Sequence, residues 1–227
     1  MKLYIGNRNY SSWSMRPGVL LAQAGIAHET VVVRFDDMGP GSAFKRAVAA
    51  VSPAGRVPVL VDGDLAVWDS LAIAEYVAEK FPDRQLWPAD AAARARARSV
   101  CAEMHAGFPA LRTDCIMNIE AALPEVGALL WRDKPALRAE VARIVEMWTA
   151  LLDASGGPLL FGGFSVADAF YAPVCMRLFT YALPVPAPVR AYMERVRALP
   201  GVAAWIEAAL AERDFLDFEE PYRLRRE

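Results

Sequence analysis

The chain has 227 residues, enough for one large domain or two small ones, and apolar residues make up 55% of it, so it can bury a sizeable core. Its formal net charge of −2 excludes bulk electrostatic attraction to nucleic acid or to an anionic membrane. Three widely spaced cysteines and two histidines argue against a structural zinc site and against a disulfide framework.

The N-terminal residues carry no apolar run typical of a secretory signal, and no charge-free apolar stretch reaches about 18 residues. We therefore expect a soluble, cytoplasmic protein. We expect no metal ion, and neither nucleic acid nor a membrane as a partner.

Strand and helix patterns alternate from the N-terminus to about Pro82. The predicted elements in chain order are a strand at 2–6, a helix at 14–25, a valine-rich strand at 28–35, a short helix at 42–51, a hairpin at 56–70 and a helix at 70–81. The hairpin prediction rests on Asp62-Gly63, a dipeptide typical of tight turns between strands. The order is βαβαββα, with a parallel pair from the first βαβ unit and an antiparallel pair from the hairpin.

Pro82 and Pro88 bracket a predicted linker, and only helical patterns follow it. We predict helices at 91–112, 113–131 (interrupted near Pro124), 135–154, 166–182, 188–199 and 202–212. The chain then divides into an α/β domain of residues 1–82 and an all-α domain of residues 89–227.

Pro58 is unusual because it lies inside a predicted strand, where a residue without an N–H breaks the hydrogen-bond ladder. It fits at a gap in the ladder, or with a cis Val57–Pro58 bond that turns the backbone outward. The N–H and C=O of Val57 would then be free to pair with an extended peptide. The alternative is an edge-strand proline that binds no ligand.

Asp69 and Ser70 stand at the start of a predicted helix, where both residue types serve as ordinary N-caps. A helix N-terminus also attracts a carboxylate, and an adjacent aspartate attracts an ammonium. The pair therefore suits the head group of an amino acid, with capping alone as the alternative.

Three segments in this order resemble the glutathione S-transferase family, and the resemblance covers essentially the whole chain. They are SPAGRVPVL at 52–60, DSLAIAEYV at 69–77 and FSVADAFYAPV at 164–174. The resemblance implies a thioredoxin-like N-terminal domain followed by an α-helical domain. In the third segment, Ser165 and Asp168 have the spacing of a helix capping box.

The resemblance implies that glutathione is the cosubstrate, and that Pro58 is cis while Val57 pairs with the cysteinyl backbone. Asp69 and Ser70 would hold the γ-glutamyl end. Arg56 would reach the glycyl carboxylate or the peptide, or would be a surface arginine. The family also implies a homodimer and a role in detoxification.

The segment Ser-Ser-Trp-Ser-x-Arg at 11–16 is similar to Ser-Ser-Cys-Ser-x-Arg of the zeta and related serine-type classes. Ser11 matches the catalytic position and ranks first, Ser12 ranks second, and Ser14 is predicted to cap the helix. The serine would donate a hydrogen bond to the glutathione sulfur and favour the thiolate, which then attacks an electrophile. Trp13 replaces the cysteine, which argues against disulfide exchange through a protein thiol.

The small electrophilic or apolar substrate would lie between the serine turn and the first helix of the helical domain. The predicted wall residues are Tyr10, Trp13, Met104, Phe108 and Arg112, and the alternative for the last three is a place in the core. The segment 215–227 either folds over this pocket or packs elsewhere. Rival functions are a glutathione-dependent isomerase or dehalogenase, and a non-catalytic protein that binds glutathione or serves as an interaction module.

Overall fold

The computed structural model describes residues 1–226 and begins with a four-stranded sheet flanked by helices; Glu227 lies outside the described residues. The first elements are β1 Lys2–Ile5, α1 Ser12–Gln23, β2 Glu29–Val32, α2 Ala43–Ala49, β3 Val59–Asp62, β4 Leu65–Trp68 and α3 Ser70–Lys80. The predicted order βαβαββα is confirmed. The strands lie side by side as β2-β1-β3-β4, with β1 and β2 parallel and the other pairs antiparallel.

Alternation of side chains along the strands divides the apolar residues between the two faces of the sheet. Leu3, Ile5 and Leu60 face the main core, which α1, α3 and the later helices share. On the opposite face Val59 packs against Phe44 and Val48 of α2. The sheet is therefore covered on both sides. The serine turn follows β1, and Asp69 and Ser70 follow β4.

The rest of the chain is mostly helical, as predicted, but the helix predicted over 91–112 is interrupted at Gly107 and Phe108. Its helices are α4 Ala91–Ala106, α5 Pro109–Asp114, α6 Pro124–Asp133, α7 Pro135–Ser155, α8 Val166–Thr180, α9 Ala187–Ala198 and α10 Pro200–Glu212. Within residues 1–226 the strands all lie before residue 69, and the division of the chain at residues 82 and 89 remains a prediction. None of the helices within residues 1–226 is long and apolar enough to cross a bilayer.

The predicted helix over 113–131 is wrong in its first half, since residues 115–123 form no helix. Here the backbone turns toward the loop after β1: the Glu120 N–H donates to Asn9 Oδ1 at 2.9 Å, and the Ile119 N–H donates to the Asn9 carbonyl at 3.3 Å. These partners replace intrahelical bonds. Helix α6 then starts at Pro124, where a missing N–H costs nothing.

Helix α8 is buried along nearly its whole length and packs against α1, α4 and α9. The predicted capping box is confirmed: Asp168 Oδ2 accepts from the Ser165 N–H at 2.9 Å, and the Ser165 side chain accepts from the N3 backbone. The capping box fixes the start of the helix that carries Arg177, a residue of the candidate site.

Candidate functional site

The turn after β1 places three serines at the start of α1, each with a different partner. Ser11 is the N-cap, and its Oγ accepts from the Ser14 N–H at 3.4 Å and lies 2.7 Å from Ser14 Oγ. The prediction that Ser14 caps the helix is wrong. Ser14 is one turn inside α1 and fully buried, and its Oγ accepts from the Gly6 N–H at 3.1 Å, which ties the helix to β1.

Ser12 is the first residue of α1 and is only partly buried. Its Oγ accepts a hydrogen bond from Nη2 of Arg177 at 3.1 Å. A hydroxyl has one proton to donate and two lone pairs. Arg177 occupies one lone pair of Ser12, so the hydroxyl proton remains available to an acceptor in front of it. Ser11 and Ser14, by contrast, bond to each other.

The Val57–Pro58 bond is cis, as predicted, and Pro58 lies just before the first residue of β3. This position explains how a proline is accommodated beside a central strand, because Val59 is the first residue to enter the ladder with β1 and β4. Within residues 1–226, no hydrogen bond reaches the N–H or C=O of Val57. Both groups are thus free to bind an extended peptide.

Asp69 and Ser70 occupy the start of α3. Asp69 is the N-cap and has a φ of +76°, a conformation that is costly for an aspartate and is often found at functional sites. Its Oδ1 accepts from the Leu71 N–H at 2.8 Å, and its Oδ2 lies 3.2 Å from Nε2 of His105. Ser70 is buried, and its Oγ accepts from Arg16 at 3.3 Å.

All five predicted glutathione-binding residues line one cavity of about 360 Å³, here named cavity A. Its walls are Trp13, Ala54, Arg56, Val57, Pro58, Trp68, Asp69, Ser70, His105 and Arg112. The structure therefore brings together residues that are far apart in the chain, from the hairpin, the α3 start and α4.

A second cavity of about 490 Å³, cavity B, contains both candidate serines. Its walls are Tyr10, Ser11, Ser12, Trp13, Phe35, Pro109, Arg112, Thr113, Ile116, Arg177 and Glu219. Trp13 and Arg112 line both cavities and so form the boundary between them. A molecule in cavity A would reach cavity B beside the Trp13 ring.

Three of the predicted wall residues line cavity B, namely Tyr10, Trp13 and Arg112. Met104 and Phe108 line neither cavity, so their prediction as wall residues is corrected. They are 2% and 5% exposed and pack in the main core. They do not share a helix face, because α4 ends at Ala106 and Phe108 lies at the junction before α5 with a φ of +57°.

Three arginines surround the boundary between the cavities. The guanidinium carbons of Arg16 and Arg112 lie 4.2 and 4.9 Å from the centre of the Trp13 ring. Within residues 1–226, neither these two nor Arg177 has a carboxylate within ion-pair distance. Burial, and then the positive charges of Arg112 and Arg177, lower the pKa of Arg16 to about 9. Arg16 is thus still charged at neutral pH.

The segment after α10 folds over cavity B rather than packing elsewhere. Glu219 lines the cavity, and the neighbouring Glu220 is buried. Glu220 Oε1 accepts from the Tyr10 hydroxyl at 2.6 Å and from Asn118 Nδ2 at 2.8 Å. Burial, and then the bond to Glu220, raise the pKa of Tyr10, so this phenol stays protonated and donates to the carboxylate.

Sequence reasoning missed Arg177, His105 and Phe35. Arg177 has a signal in the sequence, because it is a lone charge in an otherwise apolar stretch of α8. Such a charge is rarely buried without a purpose. His105 lies one turn from Cys101 on α4, and nothing in its surroundings in the sequence marks it as a neighbour of Asp69. Phe35 enters cavity B from the loop after β2.

The cysteines are all buried, and burial raises the pKa of each thiol, that of Cys115 to about 12. Their thiols therefore stay protonated at neutral pH. The three cysteines also line neither cavity. Within residues 1–226, no group of three or more His, Cys, Asp or Glu side chains is placed to hold a metal ion.

Comparison with known proteins identifies the family. Residues 10–80 match the glutathione S-transferase N-terminal domain, and residues 91–208 match the glutathione S-transferase C-terminal domain. The chain belongs to the glutathione S-transferase family, in agreement with the predicted resemblance.

Individual relatives share 24–34% sequence identity with this chain. Glutathione S-transferase 1 of Dianthus caryophyllus is 29% identical over 175 residues, 76% of this chain and 75% of the relative. The maleylacetoacetate isomerase of Pseudomonas aeruginosa is 34% identical over 121 residues, 52% of this chain and 55% of the isomerase. A crystal structure of a glutathione transferase homologue from Burkholderia (strain BGR1), with bound glutathione, has a TM-score of 0.69 and 24% identity, covering 94% and 98% of the two chains. This similarity shows a shared fold.

Proposed function

We propose that the chain is a glutathione-dependent transferase that activates the glutathione thiol and directs it at an electrophilic small molecule. The observation that carries this proposal is the convergence of Arg56, Val57-Pro58 and Asp69-Ser70 on cavity A, which adjoins the serine-bearing cavity B at Trp13. Family membership supports it, and so does the bound glutathione of the Burkholderia relative.

Cavity A offers a partner for each polar part of glutathione. The free N–H and C=O of Val57 suit the cysteinyl backbone. The Ser70 hydroxyl at the start of α3 suits the γ-glutamyl carboxylate, with the buried Arg16 behind it at 3.3 Å. Asp69 supplies a negative charge for the neighbouring ammonium. Arg56 is exposed at the rim of cavity A and suits the glycyl carboxylate.

The contacts of the serines favour Ser12 over Ser11 as the group that faces the sulfur. Ser12 is partly exposed in cavity B and has a proton to donate, and Arg177 polarises its hydroxyl. Ser11 is 6% exposed and bonds within the turn as the helix cap. The positive end of α1 and the nearby arginines add to the preference for thiolate over thiol.

Cavity B would hold the electrophile beside the activated sulfur. A glutathione-dependent isomerase, which adds and later releases the thiolate, would use the same arrangement. Similarity to the Pseudomonas maleylacetoacetate isomerase favours it as the second candidate. We further propose that the enzyme acts in the cytoplasm as a homodimer, and light scattering of the purified chain tests the oligomeric state.

Calorimetry with glutathione at up to millimolar concentration tests the binding site. We expect the wild type to bind glutathione. Asp69→Asn should weaken the affinity for glutathione by about tenfold or more, because it keeps a capping oxygen but removes the charge. Asp90→Asn is the matched control, because Asp90 also caps a helix, accepting from the Ala93 N–H at 2.8 Å, but lines neither cavity. Absence of binding at millimolar glutathione would refute the proposal.

Turnover is tested separately with glutathione and a panel of aryl halides, conjugated enones, organic peroxides and disulfides. We expect activity with carbon electrophiles. Disulfide reduction should be absent, because no thiol lines either cavity within the described chain. Binding of glutathione without activity on any carbon electrophile would instead support the non-catalytic alternative.

A further inference from the structure

Cavity A has one acidic wall residue and two arginines. Within residues 1–226, Asp69 is the only carboxylate that lines the cavity, and the arginines are Arg56 and Arg112. An ammonium group in this cavity is attracted by the carboxylate and repelled by both guanidinium groups. Glutathione carries its ammonium group on the γ-glutamyl end. The direction in which the Asp69 carboxylate points therefore decides how well that end is held.

The Asp69 carboxylate has a neighbour at each of its two oxygens. Oδ1 accepts from the Leu71 N–H at 2.8 Å, which is the helix-capping bond. Oδ2 lies 3.2 Å from Nε2 of His105. A carboxylate with one anchored oxygen can still turn, and 44% of this side chain is exposed to solvent. His105 is thus the second anchor, and each oxygen keeps a lone pair for a ligand.

The imidazole of His105 is held by its own surroundings in the last turn of α4. Its ring meets the Trp13 ring edge to face, with the centroids 5.1 Å apart and an angle of 77° between the planes. Nδ1 is buried and has no hydrogen-bond partner within residues 1–226, so Nε2 is the nitrogen that can serve Asp69. Because a carboxylate only accepts, the proton of this contact belongs to Nε2.

The contact joins two segments that match different domain models of the family. Asp69 precedes α3 in the segment 10–80, and His105 ends α4 in the segment 91–208. The φ of +76° at Asp69 persists only where surrounding contacts offset its cost. A group already held in its binding orientation loses less conformational freedom when the ligand arrives, and so binds it more tightly. His105 is placed to supply this preorganisation.

We infer that His105 is a positioning residue for glutathione: its Nε2–H donates to Oδ2 of Asp69 and holds the carboxylate in the orientation that accepts the γ-glutamyl ammonium. The inference rests on the proposed function and adds a residue of the helical half to the glutathione site. His105 acts through Asp69 rather than on the sulfur. Its loss should therefore weaken recognition of the ammonium group and leave the rest of the peptide bound as before.

Calorimetry with two peptides tests this inference. One is glutathione, and the other is glutaryl-cysteinyl-glycine, which has a hydrogen in place of the ammonium group and is otherwise the same. We expect the wild type to bind glutathione at least about tenfold more tightly than the desamino peptide, equivalent to about 1.4 kcal/mol. His105→Leu should reduce this preference by about fivefold, equivalent to about 1 kcal/mol, with little change in the affinity for the desamino peptide.

His105→Gln should recover most of the preference for glutathione, because the amide nitrogen of glutamine can take the place of Nε2. His28→Gln is the matched control and should leave the preference unchanged. His28 is the other histidine of the chain, its Nδ1 lies 2.9 Å from the carbonyl of Ile26, and it lines neither cavity. If His105→Leu fails to fold, as judged by circular dichroism, His105→Asn carries the test, because its shorter amide does not reach Asp69.

A double-mutant cycle separates positioning from a structural effect of the same substitution. In the Asp69→Asn background, His105→Leu should cause little further loss of glutathione affinity, since the charge that it positions is already gone. The inference is overturned by a loss that adds to that of Asp69→Asn, by an equal loss for both peptides, or by a failure of His105→Gln to recover the preference.

The wild-type titrations distinguish this inference from the proposed function. Failure of the wild type to bind either peptide refutes the proposed function. Equal affinities of the wild type for the two peptides refute the ammonium site at Asp69, and with it the role of His105. A wild-type preference for glutathione that His105→Leu leaves unchanged refutes the role of His105 alone.

Discussion

Arg177 in the middle of α8 donates a hydrogen bond of 3.1 Å to Oγ of Ser12 at the first position of α1. This bond links the helical half of the molecule to the serine turn and gives Ser12 a polarised hydroxyl in cavity B. Ser11, although adjacent in sequence, has no such partner and serves as the helix cap. The two neighbouring serines therefore have separable roles.

Ser12→Ala should raise the pKa of the enzyme-bound glutathione thiol by about one to two units and lower kcat/KM at pH 6.5 by about 10- to 100-fold. The reason is the loss of a charge-assisted hydrogen bond, worth about 1.5–3 kcal/mol. The pH profile of kcat/KM and the ultraviolet absorbance of the bound thiolate measure the effect. Ser11→Ala should instead lower stability by about 1 kcal/mol through loss of the cap, with little shift of the profile. The reverse pattern in the two variants would show that Ser11 faces the sulfur.

Glu220→Gln should destabilise the fold by about 2–4 kcal/mol and raise KM for the second substrate. Glu220 accepts from Tyr10 and Asn118 and pairs with Arg223, so the change removes the nearer of the two carboxylates beside Arg223 and leaves Glu120, at 3.5 Å, as its remaining partner. Urea unfolding at pH 7 measures the loss. Glu219→Gln is the control, because Glu219 lines the same cavity but pairs with none of these groups, and its stability should change by less than about 0.5 kcal/mol.

The effect of Glu220→Gln should depend on pH. Burial raises the pKa of Glu220, but hydrogen bonds from Arg223 and Tyr10 outweigh it and hold the pKa below its usual value. A carboxyl with a lowered folded pKa stabilises the fold above its unfolded pKa of about 4.3, and that stability is lost as the pH falls through the folded pKa. The difference in unfolding free energy between wild type and variant should therefore shrink below about pH 4.

Gly127→Ala should destabilise the protein by about 2–3 kcal/mol or more. A Cβ on this α6 residue would overlap the carbonyl oxygen of Tyr181, a backbone atom that cannot move aside like a side-chain tip. Gly41→Ala is the matched control, since nothing lies within 4 Å of its Cβ position, and it should be neutral to within about 0.5 kcal/mol. Equal melting temperatures for the two variants would contradict the close approach of α6 to Tyr181.

Asp168→Asn should cost about 2–4 kcal/mol, because the two oxygens of the carboxyl group share the Ser165 N–H and Oγ, the Leu160 N–H and the Tyr192 hydroxyl, and an amide has one oxygen for them. Burial raises the pKa of Asp168 to about 6, above its unfolded value of about 3.9. Its contribution is then fully present below about pH 4 and declines as the pH rises through 6. The gap between wild type and variant, measured by unfolding at pH 4 and pH 7, should be larger at pH 4.

The parts of the fold that were predictable depend on neighbours in the sequence. Asp62-Gly63 marks the turn between β3 and β4, and the Ser165–Asp168 spacing marks the start of α8. The cis bond at Pro58 and the convergence on cavity A follow from motifs of the family. These signals are local or shared by related chains, so one sequence is enough to read them.

The parts that were not predictable depend on contacts between distant residues. The N-cap of α1 is Ser11 rather than Ser14, whose hydroxyl instead accepts a hydrogen bond from the N–H of Gly6. The spacing of Met104 and Phe108 predicts one helix face, but the helix ends at Ala106 and both side chains pack in the core. The partnership of Ser12 with Arg177 joins residues from different halves of the molecule, and no local pattern indicates it.

The hydrogen bond between Tyr10 and Glu220 sets an order of events during synthesis. The sheet uses residues up to 68 and can assemble while the helices are still being made, but cavity B has no cover until residue 220 has left the ribosome. Until then the part of the wall of cavity B that Glu219 supplies is missing. The site is thus the last part of the described molecule to be completed, although its serines are among the first residues made.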